Sequence, residues 1–204
     1  TIGCEPAKNL TSTLKKNCKY TLNNFWNSKD LNKILIGNKI NKPKLITAIG
    51  MFYDLDDPSK FISDAAEVLD DNGVFIAQLM CLDSMLKKKD LGNICHEHLE
   101  FYTYDSLKYL FEKNGLKIFK IEQNGVNGGS YRIFCKKNAK KSISHNERTT
   151  LRDIRKFMSH VETNKKKCLK FLKKAKKEGK KVFIYGASTK GNTLLQFYGI
   201  NQSL

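Results

Sequence analysis

Residues 1–80 alternate between short apolar runs and stretches with helical periodicity. The runs at 1–4, 45–49 and 74–80 have the length and composition of buried strands. Between the last two, the apolar residues of 61–69 recur at three- and four-residue spacing, which predicts a helix with one buried face that begins near Asp57-Pro58. This alternation predicts an α/β fold in which helices cover a parallel sheet.

The second half of the chain predicts a helix to about Lys113, strands over 116–122 and 130–136, a long helix over 147–177, and a strand over 182–185. The residues between the two middle strands, Asn124-Gly125-Val126-Asn127-Gly128-Gly129, are rich in Gly and Asn. They predict either a wide hairpin or a loop whose backbone amides approach another group closely.

The stretch Cys95-His96-Glu97-His98 carries the densest chemistry in the sequence. We expect it to be strand-like, which would aim His96 and His98 at one face and Glu97 at the other. Two histidines in this spacing can share a metal ion, but a closed site needs more ligands, and the other two histidines, at 145 and 160, fall in or near the long helix. A histidine beside a carboxylate can also remove a proton near neutral pH, and a structural role is the third alternative.

Two further features predict ligand contacts. Glu5 follows the first strand, where a carboxylate can accept hydrogen bonds from both ribose hydroxyls, although a solvated loop glutamate is equally compatible. Later, Ser188, Thr189 and Lys190 follow the 182–185 strand at the start of a helix. They present hydroxyls, amides and a cation to one point, which suits a phosphate or diphosphate, and a plain strand-to-helix turn is the alternative.

The net charge of +17 raises the alternative of a basic nucleic-acid-binding or non-catalytic scaffold module. Lysines supply nearly all of this charge in scattered clusters, so we expect solvated faces and no nucleic-acid partner. No apolar run approaches the roughly 20 residues of a membrane span, so we expect no membrane partner. Six separate cysteines without a Cys-x-x-Cys pair argue against a metal site in this chain and favour reduced thiols in the cytoplasm.

Three motifs occur in the order found in one enzyme family. They are His96-Glu97-His98-Leu99-Glu100-Phe101-Tyr102, Asn127-Gly128-Gly129-Ser130-Tyr131-Arg132 and Tyr185-Gly186-Ala187-Ser188-Thr189-Lys190-Gly191-Asn192. Together with 47–58 and 71–75, they make the chain resemble the S-adenosylmethionine-dependent sugar C-methyltransferases. The resemblance implies a Rossmann-like class I methyltransferase sheet over 1–144, a linker helix over 145–180 and the start of a second Rossmann-like domain over 181–204.

The resemblance also implies roles for individual residues. His98 would remove a proton from the carbon next to a keto group of a nucleotide-diphosphate sugar, and the resulting enolate would attack the methyl group of S-adenosylmethionine. The implied catalytic residues are His98, Glu97 and His96; the implied cofactor-binding residues are Glu5, Pro6, Ile49, Gly50 and Gln78; the implied substrate-binding residues are Asn127, Gly128, Gly129, Ser130, Arg132, Gly186, Ala187, Lys190 and Asn192.

Three departures from the family pattern are expected to matter. Many relatives have Tyr in place of Cys95, and an acid in place of Gln78. Both ends of the chain are expected to be cut, since it opens on what reads as the last turn of a strand. Zinc is then expected only in an N-terminal module that precedes these residues in relatives, and the oligomeric state stays open.

Overall fold

The computed structural model describes residues 1–186 and 188–201 as two β-sheets with surrounding helices. The strands are β1 (Ile2–Cys4), β2 (Tyr20–Leu22), β3 (Leu45–Ile49), β4 (Val74–Met80), β5 (Lys117–Asn124) and β6 (Ser130–Lys136). The helices are α1 (Thr11–Asn17), α2 (Ser28–Gly37), α3 (Pro58–Val68), α4 (Leu82–Lys88), α5 (Tyr104–Lys113), α6 (Leu151–Lys177) and α7 (Thr189–Tyr198). The α/β class predicted from the pattern is confirmed.

The sheet topology brings several loops to one edge. β1 and β2 pair in parallel, and the second sheet has the order β3-β4-β6-β5, with β3 parallel to β4 and β6 antiparallel to both β4 and β5. Met80 at the end of β4 lies opposite Ser130 at the start of β6. The loop between β5 and β6 therefore lies at the carboxyl ends of β3 and β4, where ligands bind in open α/β sheets.

One face of the larger sheet forms the main core. Ile62 of α3, Phe75 of β4 and Phe111 of α5 are fully buried in one cluster, and the Phe75 and Phe111 rings lie 5.6 Å apart. Burial of each such side chain stabilises the fold by about 1.5–3 kcal/mol. The Asp57 side chain accepts the Lys60 N–H, so the helix begins at Asp57-Pro58 as its sequence indicates.

On the opposite face of β3, the described residues leave side chains exposed to solvent. Leu45 and Ile49 are 57% and 51% exposed, whereas Ile46 and Ala48 between them are buried. The strand therefore alternates sides, although its composition predicts burial on both. The expected helical cover is present on one face only in the part of the chain that the structure describes.

Two predicted strands are wrong. Residues 94–100 contain a turn, because the His98 N–H donates to the Cys95 carbonyl and no neighbouring strand pairs with the segment in the described structure. Residues 182–185 have no regular structure, and the Phe183 side chain is 86% exposed. Beyond them, α7 packs with α4 and α6 around Leu86, Leu91 and Val161.

Candidate functional site

The site begins where β3 ends. Gly50 follows β3 with φ +71°, a conformation that favours glycine, and its N–H donates to the Gln78 carbonyl over 2.9 Å. The chain then forms a single 3-10 turn over Phe52–Asp54. The backbone of this turn lies at the carboxyl edge of the sheet, and Phe52 and Tyr53 are buried against it.

The segment after His98 is held along this same edge. The Leu99 and Glu100 N–H groups donate to the Tyr53 carbonyl over 3.0 and 3.1 Å. Further on, the Leu82 N–H donates to the Tyr102 carbonyl, just beyond the end of β4. These bonds replace the strand pairing expected from the sequence, and they bring His98 to the edge formed by β3 and β4.

The His98 ring is fixed on two sides. Its edge packs against the Tyr53 ring with the centroids 4.8 Å apart, and its Nδ1 lies 2.7 Å from the Asn93 carbonyl oxygen. Because a carbonyl oxygen can only accept, Nδ1 carries the hydrogen. In the neutral ring Nε2 then has a free lone pair, which is the form of imidazole that can accept a proton.

Acidic and phenolic groups surround this imidazole. Loss of solvent raises the pKa of the Asp54 carboxyl above its usual value, and the nearby His98 partly opposes that rise. Burial, followed by the charge of Asp54, raises the pKa of the Tyr53 hydroxyl. Tyr53 therefore stays protonated at neutral pH and can donate a hydrogen bond.

His96 and Glu97 do not join His98 in the arrangement expected from the sequence. Both are exposed and occupy the central positions of the turn that runs from Cys95 to His98. A turn reverses the chain direction, so the alternation of faces expected for a strand does not apply here. Of the three, only His98 is half-buried against the sheet edge.

The glycine-rich loop between β5 and β6 contacts Asn93, the residue whose carbonyl accepts the hydrogen bond from His98. The Asn127 carbonyl accepts a hydrogen bond from the buried Asn93 amide, and the Gly129 carbonyl accepts one from the Cys81 N–H. Gly128 and Gly129 have φ of +82° and +134°. The loop is a wide hairpin, one of the two structures expected from the sequence. Its close backbone contacts are made by carbonyl oxygens and not by the amides that were expected.

Two predicted binding residues contact each other across β4 and β6. The Gln78 side-chain oxygen accepts from Nε and Nη2 of Arg132 over 3.0 and 2.7 Å. The Gln78 side chain is therefore committed to the guanidinium in this structure. Arg132 Nη1 also lies 3.7 Å from Glu122 Oε2, so an amide oxygen and a carboxylate both contact this guanidinium.

Glu5 and Pro6 follow β1 in the smaller sheet. The Glu5 N–H donates to the Leu22 carbonyl of β2, and one Glu5 carboxylate oxygen accepts the Ala7 N–H over 2.8 Å. Burial, with the adjacent Glu5 charge, raises the pKa of the Cys4 thiol to about 11. This end of the sheet thus presents one carboxylate and a neutral thiol, with Pro6 exposed.

Among the predicted residues of the C-terminal segment that the structure describes, Lys190 alone contacts the residues around His98. Lys190 Nζ lies 3.7 Å from Asp90 Oδ2, beside the turn that holds Asn93. Gly186 and Asn192 are exposed, and Ala187 lies outside the described residues. The Ser188 side chain accepts the Gly191 N–H and caps α7.

Tyr53, Asp54, Asp90 and Asn93 were not predicted from the sequence. Tyr53 and Asn93 contact the His98 ring, Asp54 interacts with it electrostatically, and Asp90 accepts a hydrogen bond from Asn93. Asp54 and Tyr53 could have been found, since they follow a predicted strand at the ligand-binding edge. Asp90 and Asn93 lie in a loop without periodicity, and no pattern in the sequence indicates that Asn93 is 1% exposed. Within residues 1–186 and 188–201, no three His, Cys, Asp or Glu side chains are arranged to hold a metal ion.

Comparisons with known proteins agree with this architecture. A family model described as "Methyltransferase domain" matches residues 3–121, and one described as "C-methyltransferase C-terminal domain" matches residues 125–204. The chain is 24% identical to the C-methyltransferase NovU of Streptomyces niveus across 98% of its own length and 50% of NovU. It therefore spans about half the length of this curated relative.

Solved structures share the fold at low sequence identity. A SAM-dependent methyltransferase of Thermotoga maritima matches with a TM-score of 0.51 and 16% identity, over 68% of this chain and 73% of that one. A chain from the complex between the Haloferax volcanii Trm112 methyltransferase activator and a methyltransferase matches with a TM-score of 0.50 and 10% identity, over 72% and 73%. No helix among the described residues has the length and hydrophobicity to cross a membrane.

Proposed function

Because the chain belongs to the methyltransferase family and its residues 125–204 match the C-methyltransferase C-terminal domain, we propose that it contributes to S-adenosylmethionine-dependent methylation of a sugar carbon. The carbon lies next to a keto group of a nucleotide-diphosphate sugar. The observation that carries the proposal is the hydrogen bond of 2.7 Å between His98 Nδ1 and the Asn93 carbonyl. It leaves Nε2 able to accept a proton at the sheet edge where ligands bind.

His98 removes the proton that the adjacent keto group has made acidic. The C–H electron pair becomes the enolate, and the proton moves to His98 Nε2. S-adenosylmethionine, when bound, supplies the electrophilic methyl group. The Tyr53 hydroxyl is kept protonated by burial, and its ring packs against the His98 ring, so Tyr53 is suited to stabilising negative charge on the substrate.

The residues at the ends of β1 and β3 fit the cofactor. Glu5 uses one carboxylate oxygen for the Ala7 N–H and has a second to accept from a ribose hydroxyl. Around Gly50, a Cβ would meet no atom within 4 Å, so the backbone there is open to a ligand. We assign Glu5, Pro6, Ile49, Gly50 and Gln78 to this side, with the substrate toward the loop that contains Asn127.

Replacement Glu5→Gln should weaken binding of S-adenosylmethionine about tenfold, because a hydrogen bond to a charged acceptor is lost. Isothermal titration calorimetry measures the change. Glu67→Gln on α3 is the matched control, since the Glu67 carboxylate accepts a hydrogen bond from Asn32 and Glu67 is far along α3 from the sheet edge. Equal affinity for wild type and Glu5→Gln would remove Glu5 from the cofactor site.

The function is tested with methyl-labelled cofactor and two sugar nucleotides that differ at one carbon. The keto-sugar nucleotide should become labelled, and its reduced counterpart with a hydroxyl in place of the keto group should not, since its C–H bond is not acidified. Label in neither, together with salt-dependent binding to a DNA duplex, would favour the basic-module alternative. Label in both would refute the enolate mechanism.

The domain limits at 144 and 180 and the cytoplasmic location belong to the same proposal. All six cysteines are unpaired, as a reducing compartment would leave them. Helix α6, over Leu151–Lys177, corresponds to the proposed linker, and α7 to the start of the C-terminal domain. Lys190 would then bring the C-terminal segment, with Gly186 and Asn192, to the substrate's diphosphate.

A further inference from the structure

The Asn93 side chain is the most deeply buried amide beside the site. It is 1% exposed at the end of the 3-10 turn Leu91–Asn93, and its Oδ1 has no hydrogen-bond partner among the described residues. An unpaired buried oxygen destabilises the folded state, because it has lost its hydrogen bonds to water. In the described structure the Asn93 amide therefore bonds through Nδ2 and not through Oδ1.

What the amide does is connect the turn to two neighbours. Asn93 Nδ2 donates to Asp90 Oδ2 over 3.0 Å and to the Asn127 carbonyl over 3.3 Å. The first bond closes the turn on itself, and the second attaches it to the loop between β5 and β6. The backbone carbonyl of the same residue, Asn93, receives the His98 Nδ1 hydrogen.

The loop and the turn are packed closely enough to hold this geometry. A Cβ on Gly128 would lie 2.6 Å from Asp90 Oδ2 and 3.4 Å from Asn93 Nδ2, so a side chain there would separate the two segments. From the other side, Lys190 Nζ lies 3.7 Å from the same Asp90 oxygen. The Asp90 carboxylate is therefore approached from α7, from the turn and from the loop.

From these contacts we infer that Asn93 is a positioning residue for His98. Its buried amide, bonded to Asp90 and Asn127, fixes the Asn93 carbonyl against His98 Nδ1 and so selects the tautomer with a free Nε2. The inference rests on the proposed function of His98 as the base. Asp90 is a second positioning residue, since its carboxylate orients the Asn93 amide.

The test compares Asn93→Leu, which keeps the branched shape of the side chain but removes both amide N–H donors, with the wild type. We expect kcat to fall about 10- to 100-fold, because small displacements of a reacting group cost about that much, while KM changes less than about twofold. Asn114→Ala is the matched control: the Asn114 amide bonds to Leu110 at the end of α5, and its loss should leave kcat unchanged.

A spectroscopic measurement separates positioning from a purely structural role. With only four histidines, ¹⁵N-histidine labelling resolves the His98 ring, assigned by its disappearance in His98→Ala. The wild type should show the Nδ1–H tautomer, and Asn93→Leu a mixture of both tautomers. An unchanged tautomer in a folded Asn93→Leu protein, or a rise in KM with kcat intact, overturns the inference.

Two further arms keep the inference testable. If Asn93→Leu does not fold, Asp90→Ala removes one of the two acceptors for Asn93 Nδ2, at a side chain that is 27% exposed. It should also produce a mixture of both tautomers. A pure Nδ1–H tautomer in Asp90→Ala would contradict the inference that Asp90 and Asn93 position His98. Full activity of His98→Ala would instead refute the proposed function. The tautomer measurement requires no activity, so it would still test whether Asn93 positions His98.

Discussion

His98→Ala should lower kcat/KM for methyl transfer to the keto-sugar nucleotide by about 10²- to 10⁴-fold, the usual contribution of a positioned general base. In the structure, no second imidazole occupies its place, because His96 lies exposed in the turn. The measurement is initial-rate kinetics with labelled cofactor. Binding of the cofactor should be unchanged, since His98 lies against Tyr53 and Asn93 and not against Glu5.

A second measurement isolates the proton-transfer step from methyl transfer. In D₂O, with S-adenosylhomocysteine in place of the methyl donor, the wild type should exchange the hydrogen next to the keto group for deuterium. His98→Ala should not. His160→Ala on α6, where the ring bonds to Asn164, is the matched histidine control and should exchange normally. Exchange by His98→Ala at the wild-type rate would assign the base elsewhere.

The two histidines can also be ranked. His96→Ala should cause a smaller loss than His98→Ala, because the exposed ring contacts neither Tyr53 nor the Asn93 carbonyl. Equal losses would mean that the turn rearranges when substrate binds. The comparison matters because the residue pattern alone presents His96 and His98 as equivalent, and only the family resemblance assigns proton removal to His98.

Apart from the strands expected near His98 and over 182–185, the elements predicted from local patterns agree with the structure. β4 is Val74–Met80 and α3 begins after Asp57, as periodicity and the Asp-Pro pair indicate. These features are set by a few adjacent residues: alternation, helical spacing and a side-chain cap. The α/β class follows from their order along the chain, so it was predictable as well.

The site was less predictable because its geometry depends on distant partners. The segment after His98 is not a strand, because its N–H groups donate to the Tyr53 carbonyl, about 45 residues earlier in the sequence. The Gln78–Arg132 contact requires the antiparallel register of β4 and β6. The buried Asn93 side chain contacts the loop at Asn127, 34 residues later in the sequence, and no local pattern encodes that contact.

Gly129→Ala should be the most destabilising single methyl addition in the loop, with the free energy of unfolding lowered by about 2–4 kcal/mol. Gly129 has φ +134° and ψ 120°, a region that side chains of L-residues avoid. An added Cβ would also lie 2.3 Å from Cβ and 2.6 Å from Oγ of the buried Ser84. Urea denaturation followed by circular dichroism measures the loss.

Gly125→Ala supplies the matched control four residues earlier in the same loop. Gly125 has φ −88° and ψ 1°, which alanine adopts without strain, and an added Cβ would meet nothing within 4 Å. Its unfolding free energy should stay within about 0.5 kcal/mol of the wild type or rise slightly, since alanine restricts the unfolded chain. Equal stability of the two variants would show that the loop moves away from Ser84 at little cost. The Asn127 carbonyl would then not be rigidly held, and Asp90 alone would have to orient the Asn93 amide.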